Sequence, residues 1–363
     1  MKKGKNNKAN SLLEKLKKNS VNKRIELLSE SVILVEKETA KTPIPMINVA
    51  LGGNIDGGIG AGVTTIAGPS RHFKTSFGLV MVAGFLDKYE DGVCLFFNNE
   101  FGAKKSYFET YGVDIERVIH SPFTNIEELK FDMMKQLKEL EEKDHVIIFI
   151  DSIGNAASVK EVEDALAEKS AADMTRAKQL KSLFRMITPE LYLKDIPLIA
   201  INHTYQTQEM FSKTVVGGGT GAIYASDSIF IVGKNQLKEG DEITGSKFIL
   251  TIEKSRFVKE RSKLPITVRW DSGIAKWSGF EELAEEWGII TKCRVSRSLG
   301  YEYDSMSKGK LTVKAVDIDS ADEFWETIVA ETDIKERIES EYKIGKIKKI
   351  DLEVLNEEDV EEE

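Results

Sequence analysis

Apolar residues in this chain gather into short unbroken runs, and between the runs they recur every three to four positions. Runs of the first kind occupy 64–67, 93–97, 146–150, 198–202, 228–232, 248–254 and 266–270. Several are apolar throughout, the pattern of strands covered on both faces. Helical periodicity fills 74–89, 125–142 and 172–187 between the first four runs. In the last of these, Leu180, Leu183, Phe184 and Ile187 form the apolar stripe. The alternation predicts an α/β fold with a mostly parallel central sheet flanked by helices. The later runs follow one another through turns such as Lys238-Glu239-Gly240-Asp241, which predicts antiparallel additions to the sheet.

Thr42-Pro43-Ile44-Pro45 breaks the chain ahead of this core. Before it, Ser11-Leu12-Leu13-Glu14 has the form of a capping box and predicts a helix start. Leu12, Leu13, Leu16, Val21, Ile25 and Leu28 continue a helical stripe, and Val32-Ile33-Leu34-Val35 is β-prone. Such a helix and strand either pack on their own core or form an arm that joins a neighbour's sheet edge. From about 276 the pattern turns helical again, over 279–287 and 320–328, with a basic segment at 343–349. The expected organisation is a basic arm (1–40), an α/β core (41–275), a small C-terminal module (276–350) and an acidic disordered tail (351–363). No internal repeat is visible.

Charge refines this outline. The 363 residues carry a net charge of −9, but the charge is segregated. Residues 1–24 hold nine Lys or Arg and one acid, whereas 351–363 hold eight acids and no base. A basic front and an acidic tail suggest a polyanion partner and a tail that competes with it. No apolar run approaches the ~18 residues of a membrane span, and the basic N-terminus has no apolar stretch of a secretory signal. Cys94 and Cys293 are the two cysteines. A disulfide framework is not expected, and a cytoplasmic setting fits.

The candidate chemistry lies at the ends of the runs. Gly68-Pro69-Ser70-Arg71-His72-Phe73-Lys74-Thr75-Ser76 follows the first strand and opens a helix. It nearly fits the P-loop pattern, with Phe73 where the second glycine is expected. Backbone N–H groups there would cradle an anion, Lys74 would reach terminal phosphates, and Thr75 would hold Mg²⁺. The apolar run 146–150 ends at Asp151, a second Mg²⁺ candidate, since ligands bind beyond the carboxyl ends of such strands. Glu100 stands just past the run 93–97, where a carboxylate could activate water for attack on a γ-phosphate. As plain structure, it would complement a helix N-terminus.

The run 198–202 ends at His203 and opens a long polar loop, 204–221. A loop of that length in a compact domain is functional or disordered. Gly217, Gly218 and Gly219 let a backbone approach a ligand closely. Tyr205, Phe211 and Lys213 supply two rings and a cation, the inventory of a single-strand nucleic-acid surface. A second candidate loop follows Asp151, and the helix after it carries Arg176, Lys178, Lys181 and Arg185, which either bind a polyanion or form a solvated face.

Taken together, these motifs resemble the RecA family of recombination ATPases over about residues 40–290. The phosphate loop with Phe73 in the glycine slot is similar to the phage form of its Walker A motif. Asn99-Glu100-Phe101-Gly102, Ile150-Asp151-Ser152-Ile153-Gly154-Asn155, Ile201-Asn202-His203-Thr204-Tyr205 and Gly217-Gly218-Gly219-Thr220-Gly221 recur in the same order. The resemblance implies a RecA-type core using ATP and Mg²⁺, with Glu100 as catalytic glutamate and Asp151 as the Walker B acid. It implies that His203 senses the γ-phosphate and that Tyr107 stacks on adenine. Lys254 and Arg256 would reach the γ-phosphate held by the neighbouring subunit. The segments 155–170 and 204–219 would be DNA-binding loops, with Arg176 beside the first, and the N-terminal arm would pack on the adjacent subunit. The implied activity is ATP-driven assembly of a helical homo-filament on single-stranded DNA, then pairing and strand exchange with homologous duplex DNA. A single-strand-binding protein and a loading mediator are the implied accessory partners. Two other readings share the ATP site: a ring-forming helicase motor, and a nucleotide-gated DNA-binding protein with incidental hydrolysis.

Overall fold

The computed structural model describes residues 2–35, 37–168, 175–207 and 214–345. The chain divides into two units, residues 1–38 and 39–363. Within the first, helix α1 spans Lys2–Asn19. It begins well ahead of the Ser11 capping box, and no proline interrupts it. Leu12, Leu13 and Leu16 are 55%, 41% and 56% exposed, so among the described residues of this unit nothing buries their stripe. The stripe does not continue past Asn19 as expected; one 3-10 turn follows at Leu28–Glu30. The β-prone stretch 32–35 is a series of bends and not a strand. A strand is held by ladder bonds to a neighbour, and this unit offers none among the described residues.

The second unit opens with α2 (Pro45–Gly52), whose proline sits at the helix start where its missing N–H costs nothing. There follow β1 (Gly62–Ala67), α3 (Lys74–Lys88), β2 (Val93–Asn98), α4 (Lys105–Thr110), β3 (Val118–Pro122), α5 (Ile126–Glu139) and β4 (Val146–Asp151). Then come α6 (Val159–Leu166), α7 (Thr175–Leu193) and β5 (Pro197–Asn202). A small hairpin, β6 (Thr204–Gln206) and β7 (Thr214–Val216), precedes α8 (Thr220–Ala225). The strands β8 (Ser228–Glu239), β9 (Glu242–Lys254), β10 (Lys263–Arg269) and β11 (Gly273–Ile274) follow. The chain continues through α9 (Phe280–Glu286), β12 (Thr291–Val295), β13 (Ser298–Ser305), β14 (Gly309–Lys314), α10 (Asp322–Glu331) and α11 (Ile334–Tyr342).

Nine strands form one sheet in the order β11-β10-β9-β8-β1-β5-β4-β2-β3. The pairs from β8 through β1, β5, β4 and β2 to β3 are parallel. Strands β9, β10 and β11 add antiparallel. The expected mostly parallel α/β core is therefore the observed one.

Successive side chains on a strand face opposite sides, which explains the unbroken apolar runs. On β4, Ile147 and Phe149 join one apolar cluster with Phe77, Met81 and Phe85 of α3. Ile148 and Ile150 join the other, with Leu129 and Met133 of α5 and Leu180 and Phe184 of α7. Helix α3 lies so close on the sheet that a Cβ at Gly78 would fall 2.6 Å from the Phe149 ring. A side chain there would push the helix, and the phosphate loop at its head, off the sheet.

The C-terminal segment packs Trp277, Phe280, Trp325 and Ile338 into the same cluster as α3. At the end of α11, Tyr342–Ile344 runs beside 257–259. Lys259 N donates to Tyr342 O at 2.8 Å and Ile344 N to Phe257 O at 2.9 Å. The chain just after Arg256 is thereby pinned. The acidic stretch 351–363 lies outside the described residues.

Candidate nucleotide site and polar loops

The loop 68–73 leaves the carboxyl end of β1 and enters α3 through Phe73, which has φ 57° and ψ 18°. Glycine suits a left-handed backbone and phenylalanine is strained there. The ring offsets this: it lies 4.9 Å from Phe248 and 6.4 Å from Phe77, centroid to centroid. A residue 175 positions away on β9 thus anchors the loop. Arg71 is left-handed as well, at φ 60°. His72 Nδ1 lies 2.9 Å from Ser70 O.

Lys74 is buried, and its Nζ donates to Pro69 O across the loop at 2.8 Å. Burial pulls its pKa down, while Glu100 and Asp151 pull it up. Thr75 Oγ1 donates to Asp151 Oδ2 at 2.9 Å. The other carboxylate oxygen, Asp151 Oδ1, is buried with no hydrogen-bond partner. Desolvation lifts Asp151 to about 6. An orphaned carboxylate oxygen beside a threonine hydroxyl fits a hard cation. Among the described residues no cluster of three or more His, Cys, Asp or Glu could hold a metal alone. A threonine hydroxyl and one carboxylate are few, hard donors, a set that suits Mg²⁺, which keeps waters and takes phosphate oxygens.

Glu100 reaches the same pocket from β2, although β5 and β4 stand between β2 and β1. Strand adjacency therefore does not bring it to the phosphate loop. Side chains at the edge of the sheet bridge the gap. Ser152 Oγ donates to Glu100 Oε1 at 2.5 Å, Asn155 Nδ2 at 2.8 Å, and His203 Nε2 lies 3.1 Å from that oxygen. The His203 bond is the main influence holding the Glu100 pKa below its ordinary value. Two asparagines shape the strand end: Asn98 Oδ1 accepts from Glu100 N at 2.9 Å, and Asn99 Oδ1 from Ser152 N at 2.8 Å. The Asp151-Ser152 peptide is cis.

A cavity of about 420 Å³, lined by Thr75, Glu100, Lys104, Ser106, Tyr107 and Asp151, opens in front of these groups. Its size is that of a small-molecule site. The Tyr107 hydroxyl lies 2.5 Å from Ser76 Oγ, tying the pocket wall to the phosphate loop's helix.

Lys254 and Arg256 lie elsewhere. Lys254 Nζ donates to Ile223 O at 2.9 Å and Ser226 O at 2.5 Å. Arg256 Nε pairs with Asp227 Oδ1 at 2.8 Å. Asp227 Oδ2 accepts from Val63 N at 2.9 Å, at the opposite end of β1 from the phosphate loop. Neither cation faces its own protomer's pocket.

The described ends of the polar loop after His203, Thr204–Gln206 and Thr214–Val216, pair as antiparallel strands. Gly217 N donates to His203 O at 2.8 Å, and Asn202 Nδ2 donates to Gly217 O at 2.8 Å. A Cβ at Gly217 would lie 3.0 Å from His203 O, so glycine permits the close base of the hairpin. Gly218 and Gly219 have φ 84° and 76°. Tyr205 is exposed, whereas Phe211 and Lys213 lie outside the described residues. Arg176 is engaged: Nε donates to Ala156 O at 2.8 Å, and Nη2 to Ile153 O at 3.1 Å and Gly154 O at 2.6 Å. In the protomer it braces the loop after Asp151.

Asn99, Ser152 and Asn155 stand in the motifs of the sequence but received no role from it, nor did Asn98. Their signal was present, as polar residues clustered at two strand ends. Asp227, wedged between two serines before β8, gave no comparable sign.

Among the described residues, no helix is long and apolar enough to cross a membrane. The RecA N-terminal domain family matches residues 8–275. The recombination and repair protein of Enterobacteria phage T4 is 46% identical over 340 residues, 93% of this chain and 87% of the relative. Protein RecA of Mesomycoplasma hyopneumoniae strain J is 24% identical over 306 residues, 83% of this chain and 87% of that protein. Protein RecA of Brucella anthropi is 23% identical over 271 residues, 73% and 72% of the two chains. A family match across the phosphate loop, both strand-end acids and the polar hairpin, with a close relative along nearly the whole length, has one meaning: this chain belongs to the RecA family of recombinases.

Proposed function

We propose that this protein is an ATP-dependent recombinase that polymerises on single-stranded DNA and drives pairing and strand exchange with homologous duplex DNA. The observation that carries this reading is the meeting of Thr75, Asp151 and Glu100 at one pocket, with Lys74 next to Thr75 under the influence of both carboxylates, and His203, from which the polar loop leaves, bonded to Glu100. Nucleotide state and the hairpin's position are linked through one residue.

Lys74 leaves Pro69 O and binds the β- and γ-phosphates. Thr75 and Asp151 would hold Mg²⁺, which would supply charge neutralisation on phosphate oxygens. Tyr107 lies against the base. Glu100 takes the proton of the attacking water as its oxygen bonds to the γ-phosphorus and ADP departs. Lys254 and Arg256, turned from their own pocket, act on the neighbouring subunit's γ-phosphate as cations in trans. The uncovered leucine stripe of α1 supports a subunit-joining arm for residues 1–40. Tyr205 and Gly217–Gly219 bear on DNA, and Arg176 supports the adjoining loop.

ATP turnover with and without single-stranded DNA tests the site and the ligand together. Stimulation by DNA is expected. Glu100→Gln should retain ATP-dependent filaments and lose most turnover. Surviving turnover would remove Glu100 as the base. Closed rings in electron micrographs, in place of open helices, would favour a helicase motor.

A further inference from the structure

Asn155 has no part in the chemistry above, yet its side chain touches the proposed base. It lies in the turn that follows Asp151, and its Nδ2 donates to Glu100 Oε1 at 2.8 Å. Ser152 Oγ and His203 Nε2 converge on the same oxygen. The turn is held from two sides. Arg176, in the first turn of α7, bonds the carbonyls of Ile153, Gly154 and Ala156, which flank Asn155. Ile153 N donates to Ile201 O at 3.0 Å. A Cβ at Gly154 would lie 2.5 Å from the His203 ring, so the turn packs directly on the start of the hairpin.

A carboxylate whose oxygen accepts several donors is a weaker base than a free one. A histidine N–H spent on that carboxylate is not available to a phosphate. The protomer thus holds base and sensor against each other. The three donors differ in access. Ser152 is fully buried and His203 is partly buried, whereas Asn155 is exposed. Its amide is the donor a ligand on the surface can most readily compete for. Phosphodiester oxygens are strong acceptors, and an Asn amide that turns to one lets go of Glu100.

We propose that Asn155 is a positioning residue that restrains Glu100 in the DNA-free protomer, and that single-stranded DNA lying on the adjoining loops draws its amide away and frees the carboxylate. Asn155 thereby sets how far turnover depends on DNA. This rests on the reading of Glu100 as the base.

The test uses the full chain carrying Asn155→Ala, and Asn155→Gln as the variant that keeps an amide. Loss of one hydrogen bond to a partly exposed charge should raise DNA-free turnover about fivefold, a change of roughly 1 kcal/mol in barrier. Turnover at saturating DNA should stay at the parent level, so the stimulation ratio falls. Asn155→Gln should stay close to the parent. Unchanged or lower DNA-free turnover in Asn155→Ala overturns the proposal, as does a Gln variant that behaves like Ala. Adding Asn155→Ala to Glu100→Gln should change nothing. A rise in that background shows that Asn155 does not act through Glu100. High turnover in Glu100→Gln alone is a different result, which removes the base assignment itself.

Discussion

Substitution of Phe73 sets two opposed effects at one residue against each other. Its backbone, at φ 57°, costs an L side chain about 1–2 kcal/mol and costs glycine nothing. Its half-buried ring packs on Phe248 and Phe77. Removing a fully buried Phe ring costs about 3–5 kcal/mol, so roughly 2 kcal/mol is expected for this one. Phe73→Ala loses the ring and keeps the backbone strain, for a loss of about 2 kcal/mol. Phe73→Gly loses the same ring and recovers the strain, but yields roughly 0.5–1 kcal/mol to its freer unfolded chain. The glycine variant should therefore be the more stable of the two by roughly 0.5–1 kcal/mol, the reverse of the usual order beside a helix. Thermal melts of the three proteins without nucleotide measure this. At about 2–4 °C per kcal/mol, Phe73→Gly should melt about 1–4 °C above Phe73→Ala, with both below the parent. An alanine variant as stable as the glycine variant would refute the balance of strain and ring packing.

Further predictions concern the pocket and its surroundings. Asp151 binds its proton at about 6 in the fold against 3.8 in the open chain. The native state therefore holds the extra proton between those values, and the residue's contribution to stability falls as pH rises through them. Asp151→Asn should consequently melt later than the parent at neutral pH without cation, by on the order of 2 kcal/mol, and lose the stabilisation that Mg²⁺ with ATP confers. An earlier melt with that stabilisation intact would contradict the burial argument. Protomers carrying Glu100→Gln, mixed with protomers carrying Lys254→Ala and Arg256→Ala, should regain DNA-stimulated turnover that neither has alone. No recovery in the mixture would exclude cations acting in trans. Affinity for single-stranded DNA should fall steeply with added salt through counterion release. Removing residues 351–363 should tighten it, and weaker binding by the shortened chain would end the idea of a competing tail.

What the sequence determined by itself is local. The strand, turn and helix around Gly68–Thr75, the apolar run ending at Asp151, and the alternation of strands and helices are written in residues a few positions apart. Pattern and turn chemistry act over that range. The parallel core followed from them, because unbroken apolar runs require cover on both faces. The order of the strands did not follow, since permuting strands in a sheet leaves each strand's pattern unchanged. Tertiary structure alone decided that Glu100 crosses two intervening strands to the phosphate loop. It also decided that Phe73 finds its anchor on Phe248 and that Asn155 meets Glu100 from a different loop. The stretch 32–35 shows the same limit from the other side. Its β-propensity is legible, but a strand forms only where another chain segment offers its hydrogen bonds, and the described residues of the first unit offer none.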